Sequence, residues 1–574
     1  MSKATPRGSA PKKRTGTATS AATTPAATAK ATPLQASPGE VTVRMYRQGL
    51  GDCFLLAFPT VDPKQSYYVL IDCGVLTGTP GGAAMLKQVA ADILAATGGQ
   101  IHLLVVTHRH WDHIAGFSQA DDIFSRMTVH NLWLPWLENP DDEVAKGLWK
   151  KTSQALTALT TALTKQPAGL THVSSVLGFV GEDLGAAAAK GGDPLAPVRR
   201  LLKTGQPKYC RPGDGPLALP KVPGLADAPS AQIFVLGPPT KPEQLAQMDP
   251  TSAGKETYLT GMALLSQLGF ALGMSLGAGP GEDEYLSEGL RAPFDSRLGI
   301  PTAMAKDEAF FQVNYGFNDA PQAQAPADAA AAKPGAATTA SAAGSVPVAA
   351  PAAKAEQGPA WRRVSADWLA GAEELALQLD NTVNNTSLVL AIELVNSQKV
   401  LLFVGDAQVG NWLSWDGLQW KRSDGSTVTT EDLLRRTILY KVGHHGSHNA
   451  TVRQEAGGKP WGLAAMTSPD LVAMLPVDQV FARQEPREWM MPWDDMMERL
   501  EEQTHHRIMR IDNGVPAQPP DVAPRVWRAF TSRVKPNPIQ PYPPAVPDPD
   551  HPGKIKRGGA VQLDIPYIEF TVTG

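Results

Sequence analysis

One short stretch constrains this chain more than any other. VVTHRHWDHIAGF, from Val105 to Phe117, packs His108, His110, Asp112 and His113 into six residues directly behind the apolar run IHLLVVT. That run is β-branched and apolar, as a buried strand should be, and the polar residues begin where it stops. His108 and His110 lie two apart, so in an extended or tight-turn conformation they point the same way. Asp112 and His113 follow on the ensuing turn and face a second position nearby. Imidazole and carboxylate together suit Zn²⁺, Mn²⁺ or Fe, and the lack of neighbouring thiolates argues against a purely structural cysteine–zinc site. The chain has twelve histidines, and three of them beside an aspartate at one strand end read as metal ligands.

The rest of the chain frames this cluster. At 574 residues it exceeds an ordinary domain. A net charge of −4 excludes a protein that coats nucleic acid by bulk charge, while leaving a local basic groove open. Cys53, Cys73 and Cys210 form no CxxC pair and cannot build a disulfide framework, so a cytoplasmic location is expected. Residues 1–39 are rich in Ala, Thr, Pro and basic side chains and read as a disordered tail without a secretory signal. Residues 40–137 and 361–525 each alternate strand-like runs with turn signals. Between them, 138–318 is helical and Gly/Pro-broken and reads as an insertion or cap, followed by an Ala/Pro-rich linker over 319–360. Within the insertion, 261–279 has nearly the length of a membrane span, but its glycines make it a buried or gapped helix, so no membrane partner is expected. Residues 526–574 form a proline-rich extension whose last run, AVQLDIPYIEFTVTG, alternates like a strand that pairs back onto the body.

HRHWDH fits the HxHxDH motif of the metallo-β-lactamase fold, with Gly116 at the usual glycine after it. GLGDCFLLAFP…YYVLIDCG resembles that family's opening hairpin, which ends near the metals at Asp72 and Gly74. LLFVGDA looks like the strand whose aspartate, here Asp406, bridges two metals, and YKVGHHGSH resembles the later strand end that supplies a further histidine. The resemblance implies an α/β fold, the metallo-β-lactamase αββα sandwich, with a large, mostly helical insertion. It also implies two divalent ions, Zn or Mn, held by His108, His110, Asp112, His113, Asp406 and His444 or His445. The succession NNTSLVLAIE, VLLFVGDA, KVGHHGS is similar to the C-terminal hydrolase domain of the DNA-uptake protein ComEC, which implies a phosphodiesterase or nuclease acting on nucleic acid or a nucleotide.

On that reading, water activated between two ions is the nucleophile. Asp112 and His445 are the candidate catalytic residues, and Ser447, His448 and Asn385 the candidate substrate contacts. The family's intermediate histidine ligand has no match: His130 follows too soon and His172 lies in the insertion. Two other readings stay open. One is a hydrolase of a small carbonyl ester, a lactone or thioester; the other is a catalytically degenerate metal-binding sensor or partner subunit.

Overall fold

The computed structural model describes residues 33–165, 176–179, 193–225, 230–245, 247, 367–454, 458–485, 487–544, 546–547, 555–556, 561 and 563–574. Six strands come first: β1 (Glu40–Tyr46), β2 (Phe54–Pro59), β3 (Ser66–Ile71), β4 (Leu103–Val105), β5 (Leu132–Pro135) and β6 (Lys208–Cys210). Seven follow: β7 (Leu217–Ala218), β8 (Ala231–Gly237), β9 (Val389–Leu394), β10 (Lys399–Phe403), β11 (Thr437–Lys441), β12 (Val472–Leu475) and β13 (Ile508–Arg510). Then come β14 (Val534–Lys535) and β15 (Tyr567–Thr573). They assemble into an eight-stranded sheet ordered β14-β15-β1-β2-β3-β4-β5-β6 and a seven-stranded sheet ordered β13-β12-β11-β10-β9-β8-β7.

Alternation of side chains along each strand sorts the core into three layers. Val43, Phe54, Leu56, Val69 and Ile71 of the first sheet meet Ile233, Leu390, Ile392, Leu401, Phe403 and Met474 of the second. Their neighbours point the other way. Leu55, Leu70 and Leu104 pack on α1 (Gly82–Thr97) and α2 (Trp111–Gln119) through Leu86, Val89, Ile93 and Phe117. On the far side Ala391, Leu402 and Tyr440 pack against Trp412, Leu433 and Leu434, and beyond them Leu500. The packing therefore runs helix, sheet, sheet, helix, within the expected α/β class.

Each sheet is antiparallel in one part and parallel in the other. β3, β4, β5 and β6 run parallel, as do β10, β11, β12 and β13. Parallel strands end at one edge, and in open α/β sheets that carboxyl edge is where ligands gather. The carboxyl ends of β3, β4, β10 and β11 deliver Asp72, the His108–His113 turn, Asp406 and His444–His445 respectively.

The stretch expected as a helical insertion does more than cap. It contains the long helix Glu143–Lys165, but β6, β7 and β8 also fall inside it, and β8 pairs along its length with β9. Its AQIFVLG is as apolar as any core strand, and the sheet needs it to cover one side of β9. The tail is likewise shorter than expected at its distal end, because Leu34 and Ala36 are buried against the first helical layer. At the other terminus the expected return strand forms: β15 pairs antiparallel with β1 from Glu40↔Thr573 to Tyr46↔Tyr567. Among the described residues no helix is long and apolar enough to cross a membrane. The segments 261–279 and 319–360, His172 and most of the tail lie outside the described residues.

Candidate metal centre

The His108–His113 turn is clamped from below by two loops. Asp52 N–H donates to Asp112 O (2.9 Å), Cys73 N–H to His113 O (2.8 Å) and Gly116 N–H to Cys73 O (2.8 Å). The approach is close enough to demand glycine. A Cβ on Gly74 would lie 2.2 Å from the Asp112 carbonyl carbon, and one on Gly116 would lie 2.5 Å from Cys73 Sγ. Backbone packing of this kind fixes where the histidines point before any side chain is considered.

Four side chains from three strand ends then converge. Asp112, His113, Asp406 and His445 each offer a ligand atom within 4.8 Å of the others, and all four are buried. His445 Nε2 lies 2.8 Å from Asp112 Oδ2 and 3.7 Å from Asp406 Oδ2, while His113 Nε2 lies 3.2 Å from Asp406 Oδ2. His108 and His110 flank this group, their rings 4.8 Å apart and the His108 ring 4.1 Å from that of His113.

The opposite edges of these rings are tied down, which sets their free edges. His113 Nδ1 donates to Asp72 Oδ2 at 2.8 Å, and Asp72 is itself held by the amide and hydroxyl of Thr107. His445 Nδ1 donates to the Pro476 carbonyl at 2.7 Å. His108 Nδ1 sits 3.1 Å from Thr107 Oγ1 and 3.3 Å from Ser387 Oγ. In all three the Nε2 atom is turned inward, the orientation that metal-ligating histidines adopt and one that offers a lone pair once the ring is deprotonated. Asp406 is treated the same way. Its Oδ1 accepts from Lys441 Nζ (3.1 Å) and the His444 amide (2.9 Å), leaving Oδ2 alone to face the cluster.

The charge balance follows. Burial by itself would raise Asp406, yet Lys441, His113 and His445 hold it well below the ordinary carboxylate range. Burial would lower His113 and His445, but the surrounding carboxylates, Asp406 foremost, hold both above a normal histidine. His108 and His110 lie among other imidazoles: burial pushes His108 far down and His110 to about 4, so both are neutral at pH 7. Five buried atoms, His108 Nε2, His110 Nε2, Asp112 Oδ1, His113 Nε2 and Asp406 Oδ2, make no hydrogen bond. Polar atoms this deep are ordinarily bonded, so a set of convergent orphans marks a place for a cation. The donors, imidazoles and carboxylates, fit a divalent ion of the Zn, Mn or Fe type, which would displace the protons of His113 and His445 on binding.

The adjoining histidine pair divides its work. His444 and His445 both have left-handed backbone (φ 42° and 50°), so they do not alternate as strand residues would. His445 joins the four-residue group. His444 is held at Nδ1 by Ser447 Oγ (2.6 Å) and Gln408 Nε2 (3.0 Å), and meets Asn384 Nδ2 at Nε2 (3.3 Å). Asn385 corrects the expectation of a substrate contact. It is wholly buried; its amide donates to the Leu245 and Gln247 carbonyls, and its Oδ1 accepts from the amides of Gln408 and Asn411. That residue stitches the loop together and has no donor left for a ligand. Ser447 and His448 do line a cavity, though the Ser447 hydroxyl is engaged with His444 and Asn449. His130 stacks on His102 away from the cluster.

That cavity, about 290 Å³, opens beside the centre and is walled by Val176, Phe179, Trp489, Met490, Met491 and Trp493, with Asp380, His444 and His448 at its polar end. Phe179 stacks on Trp489 at 5.1 Å and lies 5.8 Å from the His110 ring. Sequence reading missed several of these groups. Lys441 stood in a strand-like run, Asp52 in a loop, and Asp380 on the helix Asp367–Asn384 had no ligand-like neighbours in sequence.

No protein-family model matches the chain, and no curated protein matches it. Among solved structures, the crystal structure of a Beta-lactamase domain protein from Burkholderia ambifaria aligns at 18% identity with a TM-score of 0.18, covering 38% of this chain and 49% of that one.

Proposed function

We propose that this protein is a metal-dependent hydrolase of metallo-β-lactamase type acting on a small ester with an apolar or aromatic group. The observation that carries the hydrolytic part is the buried group Asp112, His113, Asp406 and His445, whose free atoms converge at the carboxyl ends of strands from both sheets. When bound, divalent ions supply the Lewis acidity that makes water a nucleophile near neutral pH. His108, His110, His113, Asp406 and His445 would hold such ions. Asp112 Oδ1 is free to accept a proton from the attacking water, since only Oδ2 is engaged, by His445. Lys441 stays protonated between Asp52 and Asp406 and keeps Asp406 ionised and aimed.

The cavity wall supports this substrate class. Aromatic and methionine side chains favour an apolar acyl or aryl group, and among the described residues no lysine or arginine lines the cavity. A polyanion would call for such cations. A phosphodiester is the second reading. It draws on the ComEC-like KVGHHGS segment and on the Phe179–Trp489 pair, whose faces suit a stacked base.

The test uses the purified full chain with Mn²⁺ or Zn²⁺, assayed on aryl esters, thioesters and lactones and, separately, on bis-aryl phosphate and plasmid DNA. Hydrolysis of the carbonyl esters, lost in Asp112→Ala and Asp406→Ala, is the expected outcome. Cleavage confined to the phosphodiesters transfers the assignment to the second reading. Inactivity on every ester, with no metal retained, refutes the hydrolase.

A further inference from the structure

Beyond the group around Asp406, a second set of buried atoms also lacks partners. His108 Nε2, His110 Nε2 and Asp406 Oδ2 are three of them, and the fourth is Asp380 Oδ1, on the helix Asp367–Asn384. This carboxylate is 6% exposed and lines the cavity, its Oδ1 3.7 Å from His110 Nε2. Among the described residues no lysine or arginine pairs with it: its nearest basic groups are the imidazoles of His110 and His444 (Nε2 to Oδ2, 4.0 Å), and its hydrogen bond comes from a neutral amide, Asn384 Nδ2 to Oδ2 at 3.1 Å. An ionised carboxylate at this depth is costly, so the group must either keep its proton or meet a cation.

We infer that Asp380 is a metal ligand, completing with His108 and His110 a first ion position that would otherwise have only two imidazoles and Asp406. This rests on the metal-dependent reading of the site and specifies how this chain fills the position for which its sequence offers no histidine. The neighbouring residues are arranged to aim the carboxylate. The Ser447 hydroxyl meets His444 Nδ1, His444 Nε2 meets the Asn384 amide, and that amide holds Asp380 Oδ2, leaving Oδ1 toward His110. His444 is thus a positioning residue for Asp380, while His445 belongs to the other ion position. The set is more open than the one around Asp406, whose donors all lie within 4.8 Å of one another. The position it forms is therefore the weaker of the two.

Metal content of the full chain decides this, independently of activity. Protein stripped with chelator, reloaded with Mn²⁺ or Zn²⁺ and dialysed is measured by elemental analysis, with calorimetric titration for the weaker ion. The wild type is expected to hold two ions. Asp380→Asn should hold one, with affinity for the weaker ion lowered on the order of 100-fold, the upper range for disturbing a metal's surroundings. Asp380→His should restore two. Two ions of unchanged affinity in Asp380→Asn overturn the ligand assignment but leave the hydrolase reading standing. A single ion in both wild type and variant overturns the first position. No ion in the wild type overturns both proposals. Should Asp380→Asn lose its far-ultraviolet circular dichroism, Asp380→His decides alone: two ions uphold the assignment and one refutes it.

Discussion

Replacing Lys441 with methionine tests the electrostatic logic of the centre without touching a proposed ligand. The ammonium is 1% exposed and donates to the Gly405 carbonyl at 2.6 Å and to Asp406 Oδ1 at 3.1 Å, and it pairs with Asp52, whose side chain is 2% exposed. Methionine keeps the length and apolar character of the stem, so the change removes the charge and opens little space. Removing one partner of a buried ion pair costs about 3–5 kcal/mol, and here two carboxylates and a carbonyl lose one cation. Lys441→Met should therefore be destabilised by about 4 kcal/mol, roughly a thousandfold in the folding equilibrium. Urea unfolding in chelator, followed by tryptophan fluorescence, measures it. Adding Asp52→Asn should recover at least about 1 kcal/mol, because the second change removes a charge that the first left unpaired. The cost should also depend on pH. Burial already raises Asp52 to about 6 with Lys441 present, and without the cation it rises further. A raised carboxylate destabilises the fold once ionised, so the penalty of Lys441→Met should be larger at pH 8 than at pH 5. A variant within 1 kcal/mol of wild type at pH 8, with an unchanged denaturant slope, would refute the reasoning.

Three further outcomes are expected. Gly74→Ala forces a methyl to 2.2 Å from the Asp112 carbonyl carbon, where only backbone can give way; it should cost about 3 kcal/mol and lower metal content, read by thermal unfolding and elemental analysis. His102 accepts the Tyr68 amide at Nδ1 (2.8 Å), and burial lowers it to about 4. Because the unfolded chain binds that proton more readily, stability should fall as pH drops from about 6.5 toward 4, by at most about 2 kcal/mol, and His102→Gln should flatten that slope. Trp489→Ala, in the cavity wall, should raise KM for an aryl ester about tenfold with kcat within threefold, and a fall in kcat alone would contradict a binding role.

The centre was legible in the sequence where its residues are dense and local. Three histidines and an aspartate at one strand end need no tertiary information, and FVGDA and YKVGHH carry their polar residues straight off apolar strands. Which histidine of His444–His445 joins the buried group was not legible, because both sit at positive φ and strand alternation does not apply. Asp380 was hidden for another reason. It lies in a helix among Leu, Gln and Asn, and the histidines beside it, His110 and His444, arrive from the ends of β4 and β11. Asn385 was misassigned because an asparagine before a strand looks the same whether its amide meets a ligand or a loop carbonyl. Strands β6 to β8 were absorbed into the insertion, since short strands between proline-rich breaks give little periodicity to read.

The pairing of β15 with β1 has a consequence for how the chain is made. Arg44 on β1 bonds to Glu569 on β15 across 525 residues, so β1 leaves the ribosome long before the strand it pairs with. At ordinary synthesis rates that wait is roughly half a minute to two minutes, during which β1 is an open edge with its hydrogen-bonding groups free. A nascent chain in this condition can pair with another, so the yield of native protein should depend on chaperones or slow expression more than the stability of the finished fold would indicate.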